Sequence, residues 1–358
     1  MGFDFVRSYG GSRLDNYSEQ PILWESDNDE EEAPIPTVSL EYEVATTDWT
    51  TIDTRMPSDW HHNDWIDRPL YFVDGKDVGR TIAWMRTPGG HPIPVRLSQI
   101  GSVIMKIEDH LCRRIFSTTE RVVTLIADPF PWDQVEGFAS ELQAHGFRLL
   151  IASAPLVEPG SLKRALSFDF EKMRKATQNR SNNEMARLEE IAVSRIHHQP
   201  SVVDGRLEPR AGGFDGEPSP VFGVIKTHYR NYLHPRGMQL LYQLKVGQRT
   251  PIFTLSHTNP SVASWFVRLS GGGETPNWGL VRIEVSLEWL QRQYPTIGTQ
   301  SVFANQLSAI LYRYRCTEGS YSRAAVSLHP IVRAEESLGA LFVPPNMLTQ
   351  QFYRLTSL

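Results

Sequence analysis

Cysteine is almost missing from this chain. Among its 358 residues only Cys112 and Cys316 occur, with no Cys-x-x-Cys pair, which excludes a disulfide framework and a zinc ribbon. Long apolar runs are missing too: the best, Leu149–Leu156, falls well short of the roughly 20 residues that a membrane helix needs. The first ten residues carry Asp4 and Arg7 among aromatics, so no secretory signal is legible, and a cytoplasmic protein without a membrane partner is expected. A phosphate loop is absent, because Gly271-Gly272-Gly273 runs into Glu274-Thr275-Pro276 without the Lys-Ser/Thr that such loops require. Neither Gly-x-Ser-x-Gly nor His-Glu-x-x-His occurs.

What the chain does hold is a core and an uneven charge. A hydrophobic content of 40% with nine Trp is ample for a buried interior. Residues 1–66 contain fifteen Asp/Glu against three Lys/Arg, a net charge of −12; the whole chain is −5, so residues 67–358 carry +7. The acidity peaks in Trp24–Pro36 (WESDNDEEEAPIP), a run that reads as a solvated, partly flexible extension. The boundary expected from charge separates an acidic extension, 1–66, from a mildly basic body, 67–358. Such a body suits a phosphate-bearing partner, and equally suits plain solubility.

No fixed-period repeat is present. Pro69–Val73 and Arg80–Thr87 read as two strands of a hairpin turning around Asp74–Gly79. Arg121–Ala127 and Phe147–Ala152 read as strands, with a short helix over Phe138–His145 between them. Leu162–Ile196 has no Gly or Pro and places Met185, Leu188, Ala192 and Ile196 at helical spacing, so one long helix or a broken pair is expected. Ser201–Asp204 is a strand ending in Asp-Gly. Strands then dominate from Val221, with short helical stretches at Leu240–Leu244 and Leu287–Gln293 and a mostly helical end from Asn305. This alternation predicts an α/β domain with a mixed sheet flanked by helices.

Carboxylates are the chemistry that remains. Asp74 and Asp204 each follow an apolar strand and precede glycine, and Glu184 and Glu189 lie on the helix between them. Carboxylates from separate elements make a hard-oxygen cage suited to Mg²⁺ or Mn²⁺. Two such ions about 4 Å apart can polarise a phosphodiester and activate water. Asp-Gly is also a common turn pair, so a purely structural reading stands beside this one. His61-His62 point to opposite sides of an extended chain, and His197-His198 read as surface. Asp128 is followed by Pro-Phe-Pro and reads as structural.

The ordered motifs narrow this choice. Phe72-Val73-Asp74-Gly75, Val202-Val203-Asp204-Gly205-Arg206-Leu207, Gly223-Val224-Ile225-Lys226-Thr227-His228, Gly247-Gln248-Arg249-Thr250-Pro251-Ile252-Phe253, Ser264-Trp265-Phe266-Val267-Arg268-Leu269 and Trp278-Gly279-Leu280-Val281-Arg282-Ile283-Glu284-Val285 follow one another along the chain. In that order they resemble the NurA nuclease family, over about Leu70 to Tyr353. The resemblance implies a ribonuclease-H-like fold with a long helical insertion. It also implies a manganese-dependent DNA nuclease, with 5′–3′ exonuclease and endonuclease action, that dimerises and works with a HerA-like hexameric ATPase in DNA end processing or anti-phage defence. A catalytically silent DNA-binding adaptor of the same fold is the alternative.

By the resemblance, Asp74, Glu189 and Asp204 hold Mn²⁺ or Mg²⁺, two ions in all, with Lys226 as their cationic partner. Glu184 is the second choice for the glutamate; Met185-Ala-Arg-Leu-Glu189 favours Glu189. Arg249, Arg268, Arg282 and His228 are the expected DNA contacts, against the plainer reading of salt bridges and strand hydrogen bonds. Trp265 and Trp278 read as core. Where some family members carry Ala-His, this chain has Ala304-Asn305, which leaves a histidine-assisted step without its residue.

Overall fold

The computed structural model describes residues 2–13, 37–108, 111–153, 169–196, 199–207, 220–226, 232–256, 261–273 and 275–358. Three long strands fill much of its first half: β4 (Tyr71–Arg86), β5 (Pro92–Glu108) and β6 (Leu111–Ile126), each antiparallel to the next. β4 runs straight through Asp74–Gly79, where a turn was expected. Neither Gly75 nor Gly79 has positive φ; the turn comes at Thr87–His91, where Gly90 sits at φ +84°. β5 carries no strand expectation from the sequence, because Pro92, Pro94 and Gly101 interrupt its pattern. It nonetheless buries Ile93, Val95, Leu97 and Val103.

Around these, β1 (Ser12–Arg13), β2 (Thr37–Ser39), β3 (Ile52–Asp53), β7 (Arg148–Ala152), β8 (Ser201–Asp204), β9 (Val221–Ile225), β10 (Gln248–Arg249), β11 (Phe253–Ser256), β12 (Val262–Arg268) and β13 (Leu280–Ser286) complete one sheet. Its order is β2-β11-β12-β13-β9-β8-β4-β5-β6-β7, with β1 beside β4 and β10 beside β12 and β3. β4–β8, β8–β9 and β6–β7 are parallel and the rest antiparallel. The fold is thus a large mixed sheet flanked by helices.

One face of the central strands buries Phe72, Val202, Phe222 and Val224 under the helices Leu287–Gln293, Ile297–Tyr314 and His329–Leu341. The other face buries Val73 and Val203 under Ala192 and Val193 of the helix Phe170–Ser194. That helix begins where Asp169 accepts hydrogen bonds from the Glu171 and Lys172 backbone N–H groups, a side-chain cap. The part of the expected helix before 169, and His197-His198, lie outside the described residues. The helix after β6 spans Trp132–Ala144, so it begins well before the expected Phe138 and ends one residue short of the expected His145.

The charge boundary at 66 is not a structural one. Phe5 and Val6 sit in the core beside Phe130 and Phe138, β2 pairs with β11, and Trp49 is buried. The acidic run up to Pro36 lies outside the described residues. No helix among the described residues is long and apolar enough to cross a membrane.

Candidate metal centre

Parallel register brings two distant aspartates side by side. Phe72 pairs with Val202 and Val73 with Val203, and there the β4–β8 ladder ends. The next residues, Asp74 and Asp204, therefore share a row and face the same side as Phe72 and Val202, because side chains alternate along a strand. Asp204 pairs with Val224 of β9, and Lys226, two residues on, leaves the sheet on that same face. The helix His329–Leu341 covers this face with Ile331, Ala334 and Leu338. Glu335, four residues after Ile331 and three before Leu338, lies on the same stripe.

One ligand oxygen each from Asp74, Asp204 and Glu335 lies within 4.8 Å of the other two. Among the described residues this is the one such group of metal-ligand side chains. Lys226 Nζ donates to Asp204 Oδ2 at 2.7 Å and stands 4.0 Å from Glu335 Oε1, with its side chain only 3% exposed. Asp74 is buried, while Asp204 and Glu335 remain 22% and 27% exposed, so the cluster opens to solvent on their side.

The electrostatics are those of a site short of positive charge. Burial pushes the Asp74 pKa well up; Asp204 adds to the rise, Lys226 opposes it, and Glu189 and Glu335 add further. Burial works against the Lys226 ammonium, but Asp204 and Asp74 outweigh it and hold its pKa above the ordinary lysine range. With all three carboxylates ionised, one lysine would leave the cluster at −2. Asp74 Oδ2 is buried and has no hydrogen-bond partner among the described residues. An all-oxygen donor set, an orphaned carboxylate oxygen and uncompensated negative charge fit a hard divalent cation such as Mg²⁺ or Mn²⁺.

Glu189 reaches this neighbourhood from the other side of the sheet. A Cβ at Gly75 would stand 2.6 Å from Glu189 Oε1, so the glycine after Asp74 serves a close approach and not a turn. Glu189 is outside the three-carboxylate group, though its charge acts on Asp74. Glu184 has different company: Arg148, Arg180 and Arg187 all pair with it. It is buried, which alone would raise its pKa, but the three guanidiniums lower it to about 2. It is a structural ion-pair hub away from the aspartates.

The expected DNA-contacting arginines are interior. Arg249 is fully buried, donating to both Glu43 oxygens at 2.8 Å and to Asn305 Oδ1 at 2.7 Å. Arg268 donates to the carbonyls of Leu244, Leu241, Pro276 and Trp278. Arg282 is buried, 3.1 Å from Glu284 Oε1 and stacked over Tyr232. All three guanidiniums are buried, so none is presented at the surface to a phosphate. His228 lies outside the described residues.

No family model matches the chain, and no curated protein matches it. Among solved structures it is similar to the NurA nuclease from Sulfolobus solfataricus. The two share 10% identity, with 86% of each chain covered and a TM-score of 0.35. A superposition that loose assigns neither site nor activity.

Three further placements complete the comparison with expectation. Trp265 is buried, its indole N–H donating to Ser308 Oγ at 3.0 Å, as a core residue should. Trp278 is 41% exposed and lies over Gly273, so it is not core. Asp128 is an exposed turn residue, and Arg313 bonds His62 Nδ1 at 3.1 Å. The residue missed altogether is Glu335. Its signal was available: a carboxylate set within the apolar stripe of an amphipathic helix, where a solvated glutamate has no reason to be.

Proposed function

We propose that the chain is a Mn²⁺- or Mg²⁺-dependent deoxyribonuclease that hydrolyses phosphodiester bonds. The observation that carries this reading is the convergence of Asp74, Asp204 and Glu335, from three distant segments, beside the buried Lys226. The ordered motifs resembling the NurA family support it. So does the strand order β6-β5-β4-β8-β9, an antiparallel meander extended by two parallel strands with the first carboxylate on its first strand, as a ribonuclease-H-like fold would require.

In this reading Asp74, Asp204 and Glu335 hold the first ion, and Glu189 supplies the further carboxylate that a second needs. Ions bound there supply charge for the scissile phosphate and lower the pKa of water. The chain's own residues do the positioning. Asp74, buried near the start of a long strand, fixes the buried side of the site. Asp204 and Glu335 form the side that a phosphate approaches. Lys226, held protonated by its carboxylates, orients Asp204 Oδ2 and offers a cation to a substrate oxygen. The finer assignments rest on the resemblance: end-resecting 5′–3′ exonuclease with endonuclease action, a cytoplasmic homodimer, and a HerA-like hexameric translocase as partner in DNA end processing or defence.

The test is incubation of end-labelled linear DNA with the full chain, with and without Mn²⁺ and with and without a HerA-like ATPase. Metal-dependent product that Asp74→Asn and Asp204→Asn abolish is expected. DNA binding without product under every condition, unchanged in Asp74→Asn, would instead establish the silent adaptor.

A further inference from the structure

The segment between the helices Ile297–Tyr314 and His329–Leu341 is closed at its base. Arg315 and Leu328 form a β-bridge, and the Cys316 N–H donates to the Ser327 carbonyl at 2.8 Å. Two residues of the loop so formed, Glu318 and Tyr321, strap it to the following helix, and Glu318 also lies 3.3 Å from His329 Nε2. Arg333 Nη2 donates to Glu318 Oε1 at 2.7 Å, and Tyr321 OH donates to Glu335 Oε2 at 2.8 Å. Ser320-Tyr321-Ser322 carries no motif, so nothing in the sequence singles Tyr321 out.

The second strap lands on a carboxylate of the candidate metal centre, and it engages one oxygen only. The other, Oε1, is the atom 4.0 Å from Lys226 Nζ, on the side of Asp204. We propose that Tyr321 is a positioning residue: its hydroxyl holds Glu335 by Oε2 and thereby aims Oε1 at the cation site shared with Asp74 and Asp204. This rests on reading those three carboxylates as a metal centre. Glu335 is the ligand that most needs such a hold. Asp74 is locked by burial and Asp204 by Lys226, whereas Glu335 is a partly exposed side chain with three rotatable bonds. Closing the loop does not require the phenol, because the bridge at Arg315–Leu328 and the Glu318–Arg333 pair already do it. Outer partners that orient metal-bound carboxylates contribute about 10–100-fold to metal affinity.

The test is Mn²⁺ binding to the full chain by calorimetry, or by loss of the free Mn²⁺ electron paramagnetic signal, for wild type, Tyr321→Phe and Glu318→Gln. Tyr321→Phe keeps the ring and deletes only the hydroxyl. It should weaken Mn²⁺ binding about 10–100-fold while leaving the metal-free melting temperature unchanged. Glu318→Gln, which loosens the loop but keeps the phenol, should bind Mn²⁺ like wild type. Wild-type affinity in Tyr321→Phe would overturn the assignment. Equal weakening in Glu318→Gln would overturn it too, by making loop anchoring the cause. Failure of the wild-type chain to bind Mn²⁺ is a different result: it removes the metal centre, and this inference with it.

Discussion

Saturating Mn²⁺ should raise the melting temperature of the full chain by about 3–4 °C, and Asp74→Asn should abolish that rise while making the metal-free protein more stable. An ion that binds only the folded state at 100 times its Kd adds about 2.7 kcal/mol. Unfolding entropy near 2.1 cal/mol/K per residue gives about 0.75 kcal/mol/K for 358 residues, hence the expected shift. The opposite sign without metal follows from Asp74 itself. Its folded-state pKa is raised by burial and by Asp204, so its ionisation costs stability above the unfolded carboxylate pKa of about 3.9. The metal-free variant should therefore melt higher than wild type at pH 7, and the difference should vanish towards about pH 2, where the carboxyl is protonated in both states. Differential scanning calorimetry across pH, with EDTA and with Mn²⁺, reads both effects. An undiminished Mn²⁺ shift in Asp74→Asn, or a metal-free variant less stable than wild type at pH 7, would refute the reasoning.

Three other substitutions separate the site from its surroundings. Glu184→Gln should cost about 1–2 kcal/mol at pH 7, after allowance for screening around its half-exposed arginines. Because the Glu184 pKa is depressed to about 2, this loss should fade as pH falls from about 4.5 towards 2, by urea melts; loss of the Mn²⁺ shift in a folded variant would instead make Glu184 a ligand. Arg249→Met strands the buried Glu43 carboxylate and should destabilise by about 3–5 kcal/mol, leaving the salt dependence of DNA binding unchanged; a flatter salt slope would return Arg249 to the DNA surface. Gly75→Ala should displace the Glu189 carboxylate, which a Cβ would crowd at 2.6 Å. Turnover should then fall by about 100-fold with less than about 1 kcal/mol of stability lost, and normal turnover would show that Glu189 takes no part.

What the sequence made legible were the residues whose roles depend on local pattern. Asp204 and Lys226 sit at or just beyond the ends of short apolar strands and Asp74 follows the apolar start of β4, and the parallel register of β4, β8 and β9 does bring them together. Most strands after Val221 and the helix Leu287–Gln293 also follow their periodicity. The failures came where tertiary contact decides. Asp-Gly at 74–75 imitates a turn, yet the glycine is there because Glu189 lies against it. Arginines alternating with apolar residues on β10, β12 and β13 imitate a solvent face, yet each is buried inside the protein. Glu335 comes from a helix 131 residues beyond Asp204, and only packing of that helix on the sheet reveals it.

Diffraction at the manganese absorption edge from crystals soaked in Mn²⁺ tests the central claim most directly. An anomalous peak in contact with one oxygen each of Asp74, Asp204 and Glu335 is the predicted result. A fully soaked crystal with no peak there, or with its peak at Glu184 or another carboxylate cluster instead, would contradict it.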